Sequence, residues 1–189
     1  MELCLKAVEG LKRRGFEAAF VETGAEAAEL VMKEAESAQS VGWGGSETVK
    51  ALGLRERLVA AGKEVRDHQL VMDLFLLSAN ALTADGRIVN IDGNGNRIAA
   101  SIHGPKRVVY VIGENKLVAG GLDDAVQRIK REACPPNAKR LARRTPCALT
   151  GKCADCDSPD RMCKVMAVFD RKPTGISAKV IVVGEKLGY

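Results

Sequence analysis

The sequence is poor in aromatic residues, which make up 4% of it as four Phe, two Tyr and one Trp. A surface that binds nucleic acid by base stacking needs more of them. Histidine is scarcer still, with only His68 and His103. Neither has sequence neighbours that define a catalytic triad. Both read as structural or surface residues, and His103, before Gly104-Pro105, is the better functional candidate. No apolar run approaches the ~18 residues that cross a bilayer. The first residues, MELCLKAVEGLKRRG, mix acids into an amphipathic pattern and do not resemble a secretory signal. These absences argue against nucleic acid and a membrane as partners and make the cytoplasm the expected compartment.

What is present suits one domain. The chain has 189 residues, 46% of them hydrophobic, enough for a substantial core. The net charge of +5 is unevenly placed. Between Arg128 and Lys172 stand 12 Lys/Arg against 5 Asp/Glu. Such an excess is either a solvated surface or compensation for an anionic centre or an acidic partner.

Apolar periodicity predicts a helix over 2–14, a strand over Phe16–Val21 and a helix from Thr23 to about Glu36. A strand at Ser40–Trp43 leads into Gly44-Gly45 and a helix from Ser46. A helix over about Arg55–Ala61 and a strand over Lys63–Arg66 follow. Leu70–Leu77 is apolar without a deciding period. Ala84-Asp85-Gly86 joins two strands, Ala79–Thr83 and Arg87–Ile91, as a hairpin. Arg107–Ile112 reads as a buried strand, Leu122–Cys134 as a helix stopped by Pro135-Pro136, and Ala178–Val183 as a last strand. Alternating strands and helices predict an α/β fold, a three-layer, mostly parallel sheet with at least one hairpin. The proline-rich stretch at about 135–176 reads as a cysteine-bearing insertion.

Two loops have the chemistry of an anion site. Gly42, Gly44 and Gly45 lie between a strand and a helix, and Ser46 and Thr48 add hydroxyls. Glycines let backbone N–H groups approach a phosphate or carboxylate. A tight turn capped by Ser46 is the plainer alternative. Glu47 is either a carboxylate that suits a helix N-terminus or a catalytic acid or base. The second loop, Asp92-Gly93-Asn94-Gly95-Asn96-Arg97, begins like a calcium loop but has Arg97 at the sixth position and His103 at the twelfth, which rejects calcium. Asn96 and Arg97 can point polar groups into a cleft, or the loop is only a turn. Lys116 follows a buried strand, where α/β sheets bind ligands, although a solvated lysine is the common case. Gly44, Gly45, Ser46, Thr48, Asn96 and Arg97 are therefore the expected ligand contacts, with Glu47 and Lys116 the catalytic candidates. On a parallel sheet these loops should converge on one cleft.

Cys147, Cys153, Cys156 and Cys163 stand in C-x5-C-x2-C-x6-C spacing. In a reducing compartment such thiols are more often metal ligands than disulfides. An iron–sulfur cluster is the expected centre, because four-thiolate ligation accepts irregular spacings. Zinc is the alternative, although only Cys153 and Cys156 form a close pair. Four unrelated thiols are the third reading. Cys4, in a helical apolar pattern, reads as a buried core residue, and Cys134 is ambiguous.

The segments GWGGSET, SANALTADGRIVNIDGNGNRIAA, VVYVIGENKLV and PPNAKRLARRTPCALTGKCADC resemble the bacterial lactate-utilisation (LUD) domain family. The resemblance runs from about residue 3 to the final LGY, and 78–118 is its most specific block. It implies the fold shared by glucosamine-phosphate deaminase, ribose-phosphate isomerase and CoA transferases, with ligand sites at Gly42–Thr48 and Asp92–Arg97. It also implies a link to lactate oxidation by multi-component, iron–sulfur-containing systems, hence redox or operon-encoded partners, and it is compatible with a homo-oligomer. The repeated C-x2-C-x2-C-x3-C-P signature is absent, which argues against independent electron transfer. The expected function is a component of lactate-type organic-acid oxidation that binds a small anionic metabolite or cofactor and a cysteine-ligated metal. A sugar-phosphate isomerase or CoA-transferase-like enzyme is one alternative. A non-enzymatic assembly or regulatory subunit with a structural metal is the other.

Overall fold

The computed structural model describes residues 1–67 and 70–189, so His68 lies outside the described residues. Along the chain run α1 (Glu2–Arg13), β1 (Glu17–Val21), α2 (Gly24–Glu34), β2 (Ser40–Trp43), α3 (Glu47–Ala51), α4 (Leu54–Ala60) and β3 (Glu64–Asp67). Then come β4 (Leu74–Leu77), β5 (Ala81–Thr83), β6 (Ile88–Asp92), α5 (Asn96–Ile102), β7 (Arg107–Gly113) and β8 (Leu117–Val118). The last elements are α6 (Leu122–Arg128), α7 (Cys134–Arg140), α8 (Pro146–Thr150), β9 (Val165–Phe169) and β10 (Ser177–Val183).

Local chemistry explains where several of these elements begin and which faces they bury. On α1, Cys4, Ala7, Val8 and Leu11 recur at helical spacing and are all buried. Thr23 and Glu26 close a capping box at the start of α2, each side chain accepting from the other's backbone N–H. Strands β4, β7 and β10 are apolar runs because helices or a second sheet cover both their faces.

Six strands form a parallel sheet in the order β1-β10-β7-β4-β2-β3. Ala27, Val31, Leu54 and Leu58 of α2 and α4 pack on one face with Val109, Val111 and Ile181. On the other face, Leu11 of α1 and Phe75, Val108 and Val180 of the sheet pack with Leu82, Ile88 and Phe169. Those last three belong to a second sheet, ordered β8-β5-β6-β9, in which β5–β6 and β6–β9 are antiparallel. Its far face covers Ala125, Ile129 and Ala133. The mostly parallel α/β architecture agrees with the sequence reading, but the second sheet was not foreseen beyond its hairpin.

Helix α1 seats directly on that hairpin. A Cβ on Gly10 would overlap the backbone of Asp85, and one on Gly86 would overlap the backbone of Gly10 and Leu11. Gly10 is poor for a helix interior, by about 1 kcal/mol against Ala. Its place is set by this backbone approach, which Arg14 locks by donating from Nε to the Asp85 carbonyl at 2.7 Å.

One local expectation needs correction. The helix that begins at Leu122 does not stop at Pro135-Pro136. A π-helical turn over Ile129–Ala133 leads straight into α7, which runs to Arg140. The prolines fall in the first turn of α7, where an N–H has no obligatory partner in the helix. The stretch at 135–176 therefore begins inside a helix, and it returns β9 to the second sheet beside β6. The apolar run Leu70–Leu77 is a strand only over Leu74–Leu77.

Candidate functional site

A cleft of about 400 Å³ opens where the two sheets meet α7. Gly45, Ser46, Glu47, Thr48, Asn96, Arg97 and Lys116 all line it. Loop 42–48 follows β2 and Lys116 follows β7, both in the parallel sheet. The 92–97 loop arrives differently, since it follows β6 of the second sheet.

Lys116 forms the floor. It is 3% exposed. Its Nζ donates to Thr48 Oγ1 at 2.6 Å and to Ser78 Oγ at 2.9 Å. Thr48 passes its own proton to the Leu187 carbonyl at 3.0 Å, so it is a structural relay and not an open ligand donor. Burial pushes the ammonium down to about 7, and the nearby guanidiniums of Arg128 and Arg97 add to the effect. No carboxylate is bonded to this amine among the described residues.

Arg97 forms one wall. Its Nη2 donates to Asn80 Oδ1 at 3.1 Å and to the Ile91 carbonyl at 2.9 Å, and it pairs with Asp92. Asp92 is 3% exposed in its side chain and also accepts from the Ile98 N–H at 3.0 Å. An anion would therefore meet a guanidinium already neutralised by a buried carboxylate. Gly44 lies outside the cleft lining, directly against the Arg97 side chain.

Ser46 caps α3 by accepting from the Val49 N–H at 3.3 Å. That helix is only five residues long, so its dipole adds little to anion binding. Glu47 sits at the rim, 3.5 Å from Arg140 Nη1. Arg140 in turn donates to the Tyr189 hydroxyl at 2.6 Å.

Several of these residues were not foreseen. Asn80 ties β6 to α6, its side chain accepting from the Ile91 N–H and its carbonyl from Arg128 Nη1, 2.6 Å away. Ser78 and Asn80 lie inside the segment most specific to the family resemblance, which was the available signal. Arg140 and Arg143 belong to the basic excess of 128–172, so part of that charge faces the cleft.

The sequence matches the LUD domain over residues 4–183. The chain belongs to the LUD domain family. This family is linked to lactate utilisation. No curated protein matches the sequence. Among solved structures, a DUF162 family protein from Deinococcus radiodurans is similar with a TM-score of 0.59 at 17% identity, covering 96% of each chain. That likeness shows the fold. Ribose 5-phosphate isomerase from Plasmodium falciparum is similar with a TM-score of 0.38 at 12% identity, over 60% of this chain and 66% of the other.

In this LUD domain Cys147, Cys153 and Cys163 all lie near enough to Cys134 to raise its thiol electrostatically. Cys134 and Cys163 line the cleft, and Cys147, Cys153 and Cys156 do not. Cys134 is part of the apolar cluster under the second sheet, and Cys163 packs against it. The hydrogen bond between the two thiols holds Cys163 down to about 6 and raises Cys134. Arg161 braces the loop through the carbonyls of Cys156 at 2.8 Å and Cys163 at 2.9 Å. Among the described residues, no group of three or more His, Cys, Asp or Glu is placed to hold a metal ion. Cys147, Cys153, Cys156 and Cys163 are free thiols, and of the four only Cys163 reaches the cleft. Cys4 is 1% exposed in the α1 core. His103 follows α5 and does not line the cleft.

Proposed function

We propose that this LUD domain is a component of lactate-type organic-acid oxidation that holds a small carboxylate in the cleft floored by Lys116. One observation carries the reading. Three guanidiniums line the cleft, Arg97, Arg140 and Arg143, against two carboxylates, Glu47 and Asp92, and the Lys116 amine adds no negative charge. Each carboxylate is already paired, Asp92 with Arg97 and Glu47 with Arg140. Arg143 holds no ion pair among the described residues. The surplus positive charge of a concave site selects an anion. The volume of about 400 Å³ exceeds a three-carbon acid and leaves room for part of a second molecule.

Calorimetric titration with pyruvate, lactate, ribose 5-phosphate and CoA tests this reading. Saturable binding of the carboxylates, competed by neither of the other two, supports it. Tighter binding of the sugar phosphate or of CoA would move the assignment to an isomerase-like or transferase-like enzyme. No binding of any of them would favour an assembly subunit.

A further inference from the structure

Resting on the carboxylate reading of the cleft, we propose that Lys116 is a nucleophilic amine that forms an imine with the carbonyl carbon of a 2-oxo acid.

The argument starts from hydrogen-bond valence. A neutral amine has two N–H donors and one lone pair. The Nζ of Lys116 has two hydroxyl acceptors, Thr48 Oγ1 at 2.6 Å and Ser78 Oγ at 2.9 Å. Both hydroxyls are oriented to accept, because each sends its own proton to a backbone carbonyl, Leu187 at 3.0 Å and Ala79 at 3.3 Å. The two donors of a neutral Nζ are thus used, and its lone pair is left for the cleft that it lines. An ammonium in the same place would have a third N–H to satisfy, beside Arg97 and Arg128 and with no bonded carboxylate. Burial and these two guanidiniums favour the neutral form, the reactive one.

The substrate class follows from what the amine meets. The surplus cationic charge suits a carboxylate, and a lone pair next to a bound carboxylate needs an electrophilic carbon. A 2-oxo acid places its ketone beside the carboxylate, and it is the oxidation product of a 2-hydroxy acid such as lactate. The step balances without a redox partner. The Nζ lone pair forms a bond to the ketone carbon, and the carbonyl π electrons move to oxygen. That oxygen takes up the protons released from nitrogen and leaves as water, and a C=N bond remains.

The test is reductive trapping on the full chain with pyruvate and cyanoborohydride, followed by intact mass and peptide mapping. The expected result is one adduct per chain, on the peptide holding Lys116. Its labelling should outpace that of exposed Lys6 by at least ~10-fold, since an amine at about 7 has a far larger neutral fraction than an ordinary lysine. Lactate, which lacks the ketone, should give none, and Lys116→Met should fall to the background of surface lysines. Mapping on the wild-type chain decides the site even if the variant folds poorly. Pyruvate binding without an adduct on Lys116, or labelling of Lys116 no faster than of Lys6, would overturn the imine and leave the carboxylate cleft standing. Absence of pyruvate binding by calorimetry would overturn both.

Discussion

Gly44 and Arg97 interlock: a Cβ on Gly44 would overlap Cγ of Arg97. Two loops on different sheets meet at this contact, so the glycine keeps room for the arginine that builds the cleft wall. The side chain cannot simply swing away, because its guanidinium is bonded to Asn80, Ile91 and Asp92. Gly44→Ala should therefore destabilise the fold by about 1–3 kcal/mol, the usual range for overpacking. It should also weaken carboxylate binding. Gly45→Ala is the control, since a Cβ there meets nothing within 4 Å. Chemical denaturation of both variants checks this, and equal losses would contradict the interlock.

The Arg97–Asp92 pair is more structural than expected from a ligand clamp. Removing the arginine leaves a carboxylate that is 3% exposed without its cation. Breaking one partner of such a pair typically costs about 3–5 kcal/mol. Arg97→Ala should be strongly destabilising, and adding Asp92→Asn should recover part of the loss. A double mutant whose loss equals the sum of the single losses would mean that the pair is not coupled.

Arg143 should behave in the opposite way. It lines the cleft and has no ion pair to lose among the described residues. Arg143→Ala should leave stability within about 0.5 kcal/mol, as surface changes usually do. It should weaken carboxylate binding several-fold and flatten the dependence on salt. Unchanged affinity would remove Arg143 from the site.

The helices and parallel strands were largely legible because burial imposes a period. α1 shows helical spacing at Cys4, Ala7, Val8 and Leu11. Thr23 and Glu26 announce the start of α2 through their three-residue spacing. The second sheet was hidden because β9 reads VMAVF, and its residues are mostly exposed, so no alternation marks a buried face. The end of the helix at Pro135-Pro136 was misjudged because a proline marks either a stop or a first turn, and only the preceding π turn distinguishes them. The glycine-rich and Asn/Gly-rich loops stood out by residue type, and the fold brings Gly45–Thr48, Asn96 and Arg97 to one cleft while Gly44 stays outside its lining. Ser78 and Thr48 as partners of Lys116 were not, because they come from 38 and 68 residues away.

Lys116 also has a measurable effect on stability, with a sign that can be worked out. Unfolded, the amine keeps its proton up to its ordinary value of 10.5, while in the fold it is pushed down to about 7. Between those values the unfolded chain binds more protons, so stability rises with pH across that window. Below pH about 7 the folded state carries the full penalty of a buried charge. The cations that face the amine are Arg97 from α5 and Arg128 from α6. The carboxylates at the cleft, Asp92 and Glu47, are paired with Arg97 and Arg140. Lys116→Met removes the penalty and keeps most of the volume, and both hydroxyls retain their carbonyl acceptors. The variant should therefore be more stable than the parent by about 1–3 kcal/mol at pH 6, after allowance for the lost hydrogen bonds. The advantage should shrink steadily toward pH 10. A site held back from its stability optimum in this way is the usual mark of a group kept for function. Thermal melts of both proteins from pH 6 to 10 measure the difference, expected at roughly 2–4 °C per kcal/mol for a chain of this size. A difference that does not change with pH would mean that the amine does not titrate in this window.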